Sequence, residues 1–185
     1  MVIIGITGTI GAGKGTVVDY LVNRKGFKHF SARGFLVEEI ERRGLVNNRD
    51  SMVLVGNDLR SKFGSGYVAE ELFKRALVSR ENAVIESLRT VGEIESLRKK
   101  GNFTLLAVNA DPRIRSERNS VRGTTTDDVT FEKFLFDEER EMESTDPNKQ
   151  NLKKCIELAD FVINNDGSLE DLNKKIEEIL KIIQI

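Results

Sequence analysis

A single cysteine, a single histidine, two prolines and no tryptophan occur among the 185 residues. Alone, Cys155 can form neither an internal disulfide nor a multi-cysteine metal site, which favours a reducing, cytoplasmic setting. An excess of one charge is also lacking: 29 basic side chains face 30 acidic ones, for a net charge of −1. The chain therefore makes no blanket positive field of the kind that draws nucleic acid or an anionic membrane surface, so neither is expected as a partner and any anion site must be local. No apolar run approaches the roughly 18 residues that a membrane span requires. The opening Met1-Val-Ile-Ile-Gly-Ile has no basic leader or cleavage site and is expected to be a strand, not a signal peptide. Repeats, low-complexity tracts and linkers are missing too, which predicts one domain over residues 1–185.

What is present is a regular alternation of short apolar runs with helical spacing. Strands are predicted at Val2–Thr7, Phe27–Phe30, Ala83–Ile85, Phe103–Val108 and Phe161–Ile163. Helical periodicity covers Gly15–Arg24, a stretch from the N-cap Ser31 to about Arg43, Asp50–Lys62, Tyr67–Ser79, Val91–Lys100, an Arg-rich stretch after Asp111-Pro112, Phe131–Met142, Leu152–Ala159 and a last helix from the cap Ser168 to about Ile182. Between two of these helices, Gly123–Thr130 is polar and without period. This order predicts an α/β fold of three layers, a mostly parallel five-stranded sheet flanked by helices, with ligands at the carboxyl ends of the strands.

Between the first strand and the first helix stands Gly8-Thr-Ile-Gly11-Ala-Gly13-Lys14-Gly15-Thr16. Successive backbone N–H groups of such a loop, with the positive end of the following helix, bind a polyphosphate, and glycine admits close approach. Gly8, Gly11, Ala12, Gly13, Lys14, Gly15 and Thr16 are thus the candidate cradle for ATP, with Lys14 on the β- and γ-phosphates. The usual pattern has a hydroxyl residue directly after the lysine to hold Mg2+. Here Gly15 takes that place and Thr16 follows, which predicts a magnesium ion held largely through water.

The loop resembles that of adenylate kinase and the other nucleoside monophosphate kinases, and its flank Ile4-Gly-Ile-Thr-Gly-Thr-Ile-Gly-Ala-Gly-Lys14 is also similar to the opening of dephospho-CoA kinases. The resemblance continues in order along most of the chain. Ser31-Ala-Arg-Gly-Phe-Leu36 stands where monophosphate kinases begin their acceptor-binding helices. Ala83-Val-Ile-Glu86-Ser-Leu-Arg89-Thr90 is similar to their acid-ended strand, one residue shorter and without the proline. Arg118-Asn-Ser-Val-Arg122 resembles the start of their mobile lid, and Ala159-Asp-Phe-Val-Ile-Asn-Asn-Asp-Gly-Ser168 the last-strand segment of dephospho-CoA kinases. Dephospho-CoA kinases carry Asp-Ala-Asp where this chain has Ser31-Ala-Arg33, and adenylate kinases an arginine where it has Val37. The resemblance implies an acceptor-binding subregion near 31–80, a lid near 112–142 and transfer from MgATP to a small nucleotide acceptor. That acceptor is a nucleoside or deoxynucleoside monophosphate or, alternatively, dephospho-CoA. A nucleotide-binding switch without a metabolite acceptor is the rival of another class.

Phosphoryl transfer requires alignment and neutralisation of spreading negative charge more than covalent help from the protein. Arg115, Arg118 and Arg122 share a helix face by their spacing; Arg118 and Arg122 carry the family spacing and, with Lys14 and Glu86, are the expected catalytic groups. Glu86, at the carboxyl edge of the sheet, is expected to orient magnesium-bound water. Ser31, Arg33 and Arg89 are the expected acceptor contacts. Arg60 falls in the same subregion without an assigned direction. His29 has no catalytic partner at motif spacing and is expected to be structural, and Cys155 is expected to be a small buried residue.

Overall fold

The computed structural model describes residues 1–121 and 130–185. Five strands, β1 (Ile3–Gly8), β2 (Lys28–Ser31), β3 (Ala83–Glu86), β4 (Phe103–Asn109) and β5 (Phe161–Asn164), form one sheet in the order β2-β3-β1-β4-β5. Every pairing is parallel. Helices α1 (Lys14–Lys25), α2 (Ala32–Arg42), α3 (Arg49–Phe63), α4 (Tyr67–Ser79), α5 (Val91–Arg98), α6 (Pro112–Val121), α7 (Phe131–Met142), α8 (Leu152–Glu157) and α9 (Leu169–Ile182) connect and flank the strands. This is the three-layer P-loop kinase fold, and its sheet is wholly, not mostly, parallel.

The layers follow from the side-chain alternation of the strands. Ile4, Ile6, Val84, Leu106 and Val108 point to the face covered by α1 and α9, where Val17, Leu21, Leu172 and Ile176 meet them. Ile3, Ile85 and Leu105 point to the other face, covered by α2, α3, α4, α5 and α8. β1 is buried along its whole length because both faces are covered, which is why its sequence is nearly continuous in apolar residues. Most helix starts carry side-chain caps: Ser31 accepts from Gly34 N–H at 3.1 Å, Asn48 from Ser51 N–H at 2.8 Å, and Thr90 with Glu93 forms a capping box.

In space β3 lies beside β1, although β2 comes between them in the chain. The chain leaves β1 toward the α1 face and leaves β3 toward the opposite one. A crevice therefore opens at the carboxyl ends of β1 and β3, where such sheets place their ligands. The segments ending at Gly8 and Glu86 meet there, since Ile6 pairs with Glu86 in register.

α2 is braced against α3 by a charged knot. Glu39 accepts from Arg42 Nε and Nη2 at 2.7 Å and from Arg43 Nε at 2.6 Å, while Arg43 Nη1 donates to Asp58 at 2.7 Å. Hydrogen bonds from Arg42, ahead of an opposing burial effect, hold the Glu39 carboxyl at about 2. A carboxylate with a depressed pKa adds stability above its unfolded pKa, and that stability is lost as pH falls through the folded value. Glu39→Gln should therefore cost on the order of 1 kcal/mol at pH 7, with the gap to the unsubstituted protein closing between about pH 5 and pH 2. Urea unfolding across that range measures it; a gap independent of pH would contradict the assignment.

Candidate active site

The glycine-rich segment runs from the end of β1 to the start of α1. Gly13, the N-cap of α1, is left-handed at φ 96° and supplies no side-chain cap, and the first turn holds no acid. The first N–H groups of the helix and its dipole are thus left for an external anion. Lys14 Nζ donates to the carbonyls of Gly8 at 3.0 Å and Thr9 at 2.8 Å, so the ammonium lies across the loop.

Two side chains from distant elements buttress this backbone. Asn165, buried after β5, donates from Nδ2 to the Ala12 carbonyl at 2.9 Å. Arg115 of α6, also buried, donates from Nη1 to the Ile10 carbonyl at 3.3 Å and from Nε to Ala110 O at 2.8 Å. Its guanidinium is closed by Glu138 of α7 at 2.5 and 3.1 Å. A Cβ on Gly13 would collide with Asn165 Nδ2, whereas a Cβ on Gly15 would meet nothing within 4 Å.

Beside the loop, Glu86 is enclosed by short polar contacts. Ser87 Oγ donates to Oε1 at 2.9 Å, Ser31 Oγ to Oε2 at 3.3 Å, and His29 Nε2 stands 3.5 Å from Oε2. Burial pushes the Glu86 carboxyl up, but hydrogen bonds from His29 and Ser87 and the charge of Lys14 outweigh it and hold the group at about 2. Glu86 is therefore a fixed anion over the physiological range. Ser87 is left-handed at φ 71°, an uncommon conformation for a residue with a Cβ, and turns the chain toward Arg89.

Arg115 and Arg118, which their spacing places on one helix face, both reach the loop region from α6, Arg115 as a buried tie. Arg118 is half-buried and donates to the Asn165 carbonyl at 2.9 Å, beside the loop. Arg122 lies outside the described residues. Arg60 is buried and donates from Nε and Nη2 to Glu93 at 3.1 and 2.9 Å. Arg33 is exposed and has no side-chain partner among the described residues. With Arg49, Arg60 and Arg89 it lines a cleft of about 300 Å³ whose rim includes Ile10 of the loop and Ser87. Ser31 caps α2 while also donating to Glu86.

Residues of this site not singled out as functional from the sequence include His29, Ser87, Asn165, Arg49, Glu138 and Glu141. Glu141 on α7 bonds Arg49 at 2.8 Å and also Arg89, across 92 and 52 residues of chain. Local spacing holds no trace of such pairs. Asn165 had a weak signal, since it lies in the segment that resembles dephospho-CoA kinases. Cys155 is buried as expected, and burial pushes its thiol up to about 12, where it is inert.

Among the described residues no three His, Cys, Asp or Glu side chains are grouped to cage a metal ion. One anionic carboxylate at Glu86 and the Thr16 hydroxyl in the first turn of α1 suit a magnesium ion that keeps most of its water and rests on phosphate oxygens. No helix among the described residues is long and apolar enough to cross a membrane.

Comparison with known proteins gives the family and agrees with the fold. The pattern of the AAA domain family matches residues 4–146. A UPF0200 protein of Sulfurisphaera tokodaii is 31% identical over 181 residues, covering 98% of this chain and 97% of its own. Among solved structures, a gluconokinase from Sinorhizobium meliloti superposes with a TM-score of 0.62 at 13% identity, covering 99% of this chain and 94% of its own. A shikimate kinase from Bacteroides thetaiotaomicron gives 0.56 at 15% identity, with 100% and 99% covered. At such identities the two structures share the fold with this chain.

The loop geometry separates two neighbouring glycines. Gly13→Ala should cost about 1–3 kcal/mol, through a strained left-handed alanine and the displaced Asn165 amide. Gly15→Ala should be neutral or stabilising by up to about 1 kcal/mol, because it adds helix propensity in open space. Thermal unfolding of both variants measures the difference, and equal losses would contradict the packing described.

Proposed function

The chain belongs to the AAA domain family and to the UPF0200 proteins, and we propose that it is an ATP-dependent phosphotransferase that moves the γ-phosphate of MgATP to a small acceptor, a nucleoside or deoxynucleoside monophosphate. The observation that carries this reading is the meeting of two anion sites. Ile10 of the glycine loop itself lines the arginine-rich cleft, with Ser87 next to Glu86, so a donor phosphate on the loop would lie beside an acceptor in the cleft. A nucleotide switch has no need of the second site.

In this reading Gly8, Gly11, Ala12, Gly13, Gly15 and Thr16 cradle the donor phosphates. Lys14 leaves the Gly8 and Thr9 carbonyls for the β- and γ-oxygens. Magnesium, when bound, neutralises charge on those oxygens. Glu86 with Thr16 orients its water shell, and the contacts of Glu86 to Ser31, Ser87 and His29 keep it from swinging away. Arg118, beside the loop, is assigned to the transferring group, where a preorganised cation stabilises the charge that develops; Arg122, which lies outside the described residues, is assigned the same role from the sequence alone. Arg33, Arg89 and Ser31 hold the acceptor so that its nucleophilic oxygen lies in line. The 31–80 subregion supplies most of the acceptor cleft, and the 112–142 subregion, of which Glu141 lines the cleft, is assigned as its lid.

The test is acceptor-dependent ADP release from MgATP with a panel of nucleoside and deoxynucleoside monophosphates, dephospho-CoA, gluconate and shikimate, the last two because of the acids named in the neighbouring kinases. A monophosphate should be the best acceptor. Lys14→Ala should abolish turnover without unfolding the protein, and Glu86→Gln should retain nucleotide binding while lowering turnover by about 10²-fold, the size seen when one preorganised charge contact is lost. ATP binding with no acceptor-dependent ADP release would favour the nucleotide switch instead.

A further inference from the structure

We propose that Glu141 is a positioning residue of the acceptor cleft, holding Arg49 and Arg89 together as a two-pronged clamp for a phosphate dianion. This rests on the reading of that cleft as the acceptor's. Arg49 opens α3 and Arg89 follows β3, so the chain brings them together only by folding. Two guanidiniums side by side repel, and they stay in place because a buried carboxylate stands between them. Glu141 Oε1 accepts from Arg49 Nη2 at 2.8 Å, and Oε2 accepts from Arg89 Nη1. Each prong is then fixed a second time. The Asp137 carbonyl accepts from Arg49 Nη2 at 3.3 Å, and Gln150 Oε1 accepts from Arg89 Nη1 at 3.0 Å. Asn151 N–H holds the Arg89 carbonyl at 2.9 Å.

All these contacts take the Nη1 or Nη2 ends. Nε of Arg49, and Nε and Nη2 of Arg89, make no hydrogen bond among the described residues, which leaves donors for a ligand. The charge balance sets the kind of ligand. Arg60 is neutralised by Glu93; Asp137 pairs with Arg49 Nη1 at 3.5 Å as well as with Lys133 at 2.7 Å and Arg140 at 3.8 Å, and Arg140 also stands 4.0 Å from Asp50. Arg49, Arg89, Lys133 and Arg140 against Glu141, Asp137 and Asp50 leave one positive charge, and Arg33, unpartnered among the described residues, adds a second. Two positive charges with forked donors match a phosphomonoester dianion better than a single carboxylate. The clamp thereby separates a phosphorylated acceptor from a hydroxy acid.

Removing the Glu141 charge distinguishes positioning from mere occupancy. If Glu141 only filled the cleft, Glu141→Gln would add net positive charge and tighten phosphate binding. As a positioning group, its loss turns one hydrogen-bond acceptor into a donor, and the prongs separate. Inorganic phosphate is titrated into the full chain by calorimetry, with the glycine loop saturated by a non-hydrolysable ATP analogue. Glu141→Gln should weaken phosphate by about tenfold or more while the affinity for the ATP analogue is unchanged, and Arg49→Lys, which keeps charge but loses the fork, should weaken it as much. The double variant should be no worse than either single one, since all three changes undo the same clamp. With a monophosphate acceptor, Glu141→Gln should raise KM and leave kcat within about threefold. Unchanged or tighter phosphate binding in Glu141→Gln, or additive losses, would overturn the proposal. Should Glu141→Gln fail to fold, the cycle of Arg49→Lys with Arg89→Lys decides it, non-additive losses supporting the clamp and additive ones overturning it. If no member of the acceptor panel is phosphorylated, the phosphotransferase reading fails while the phosphate affinity of the clamp is still measured.

Discussion

The guanidinium of Arg115 is the tie on which the site depends. It is buried, and it joins the end of β4 at Ala110, the phosphate loop at Ile10 and helix α7 at Glu138. A charge taken out of water is tolerable only when its partners are complete, and here a carboxylate and two carbonyls complete them. The glycine-rich loop has few side chains of its own with which to fix its backbone, Lys14 being the one that crosses it. Its rigidity is imported from Arg115 on one side and from Asn165 on the other.

The same helix that closes Arg115 also reaches the opposite end of the crevice. Glu138 and Glu141 are three residues apart on α7, so they share a side of the helix, yet one ties the glycine loop through Arg115 and the other holds the arginines of the cleft. α7 is thus where the two anion sites are braced against each other. An ordinary acid-rich surface helix would carry these carboxylates in water, whereas Asp137, Glu138 and Glu141 are all buried.

Much of the fold was legible because it is written in local patterns. Continuous apolar runs marked strands covered on both faces, and Ser31 and Ser168 stood where helices begin. The loop from Gly8 to Thr16 declared itself through its position between a strand and a helix. Boundaries moved by a residue or two: β1 extends to Gly8, and α3 starts at Arg49 because the Asn48 side chain caps it. The rest was hidden for a physical reason. Arg115 fits a solvated face by spacing alone, and its burial is decided by Glu138, which lies on another helix. His29 lacks any partner at motif spacing because its partner, Glu86, comes from the neighbouring strand through parallel pairing of β2 with β3. Arg49 and Glu141 meet across nearly half the chain, so nothing in local periodicity could join them.

The central claim is that the glycine loop and the arginine cleft are two halves of one site spaced for direct transfer. A bisubstrate ligand, two nucleosides joined by a chain of five phosphates, tests it most directly, because such a ligand binds tightly only where both halves are within reach. Calorimetry should show it binding about 10²-fold or more tighter than ATP, as expected when a second contact becomes intramolecular, with the gain removed by Arg89→Ala and all binding removed by Lys14→Ala. An affinity equal to that of ATP and indifferent to Arg89→Ala would contradict the account.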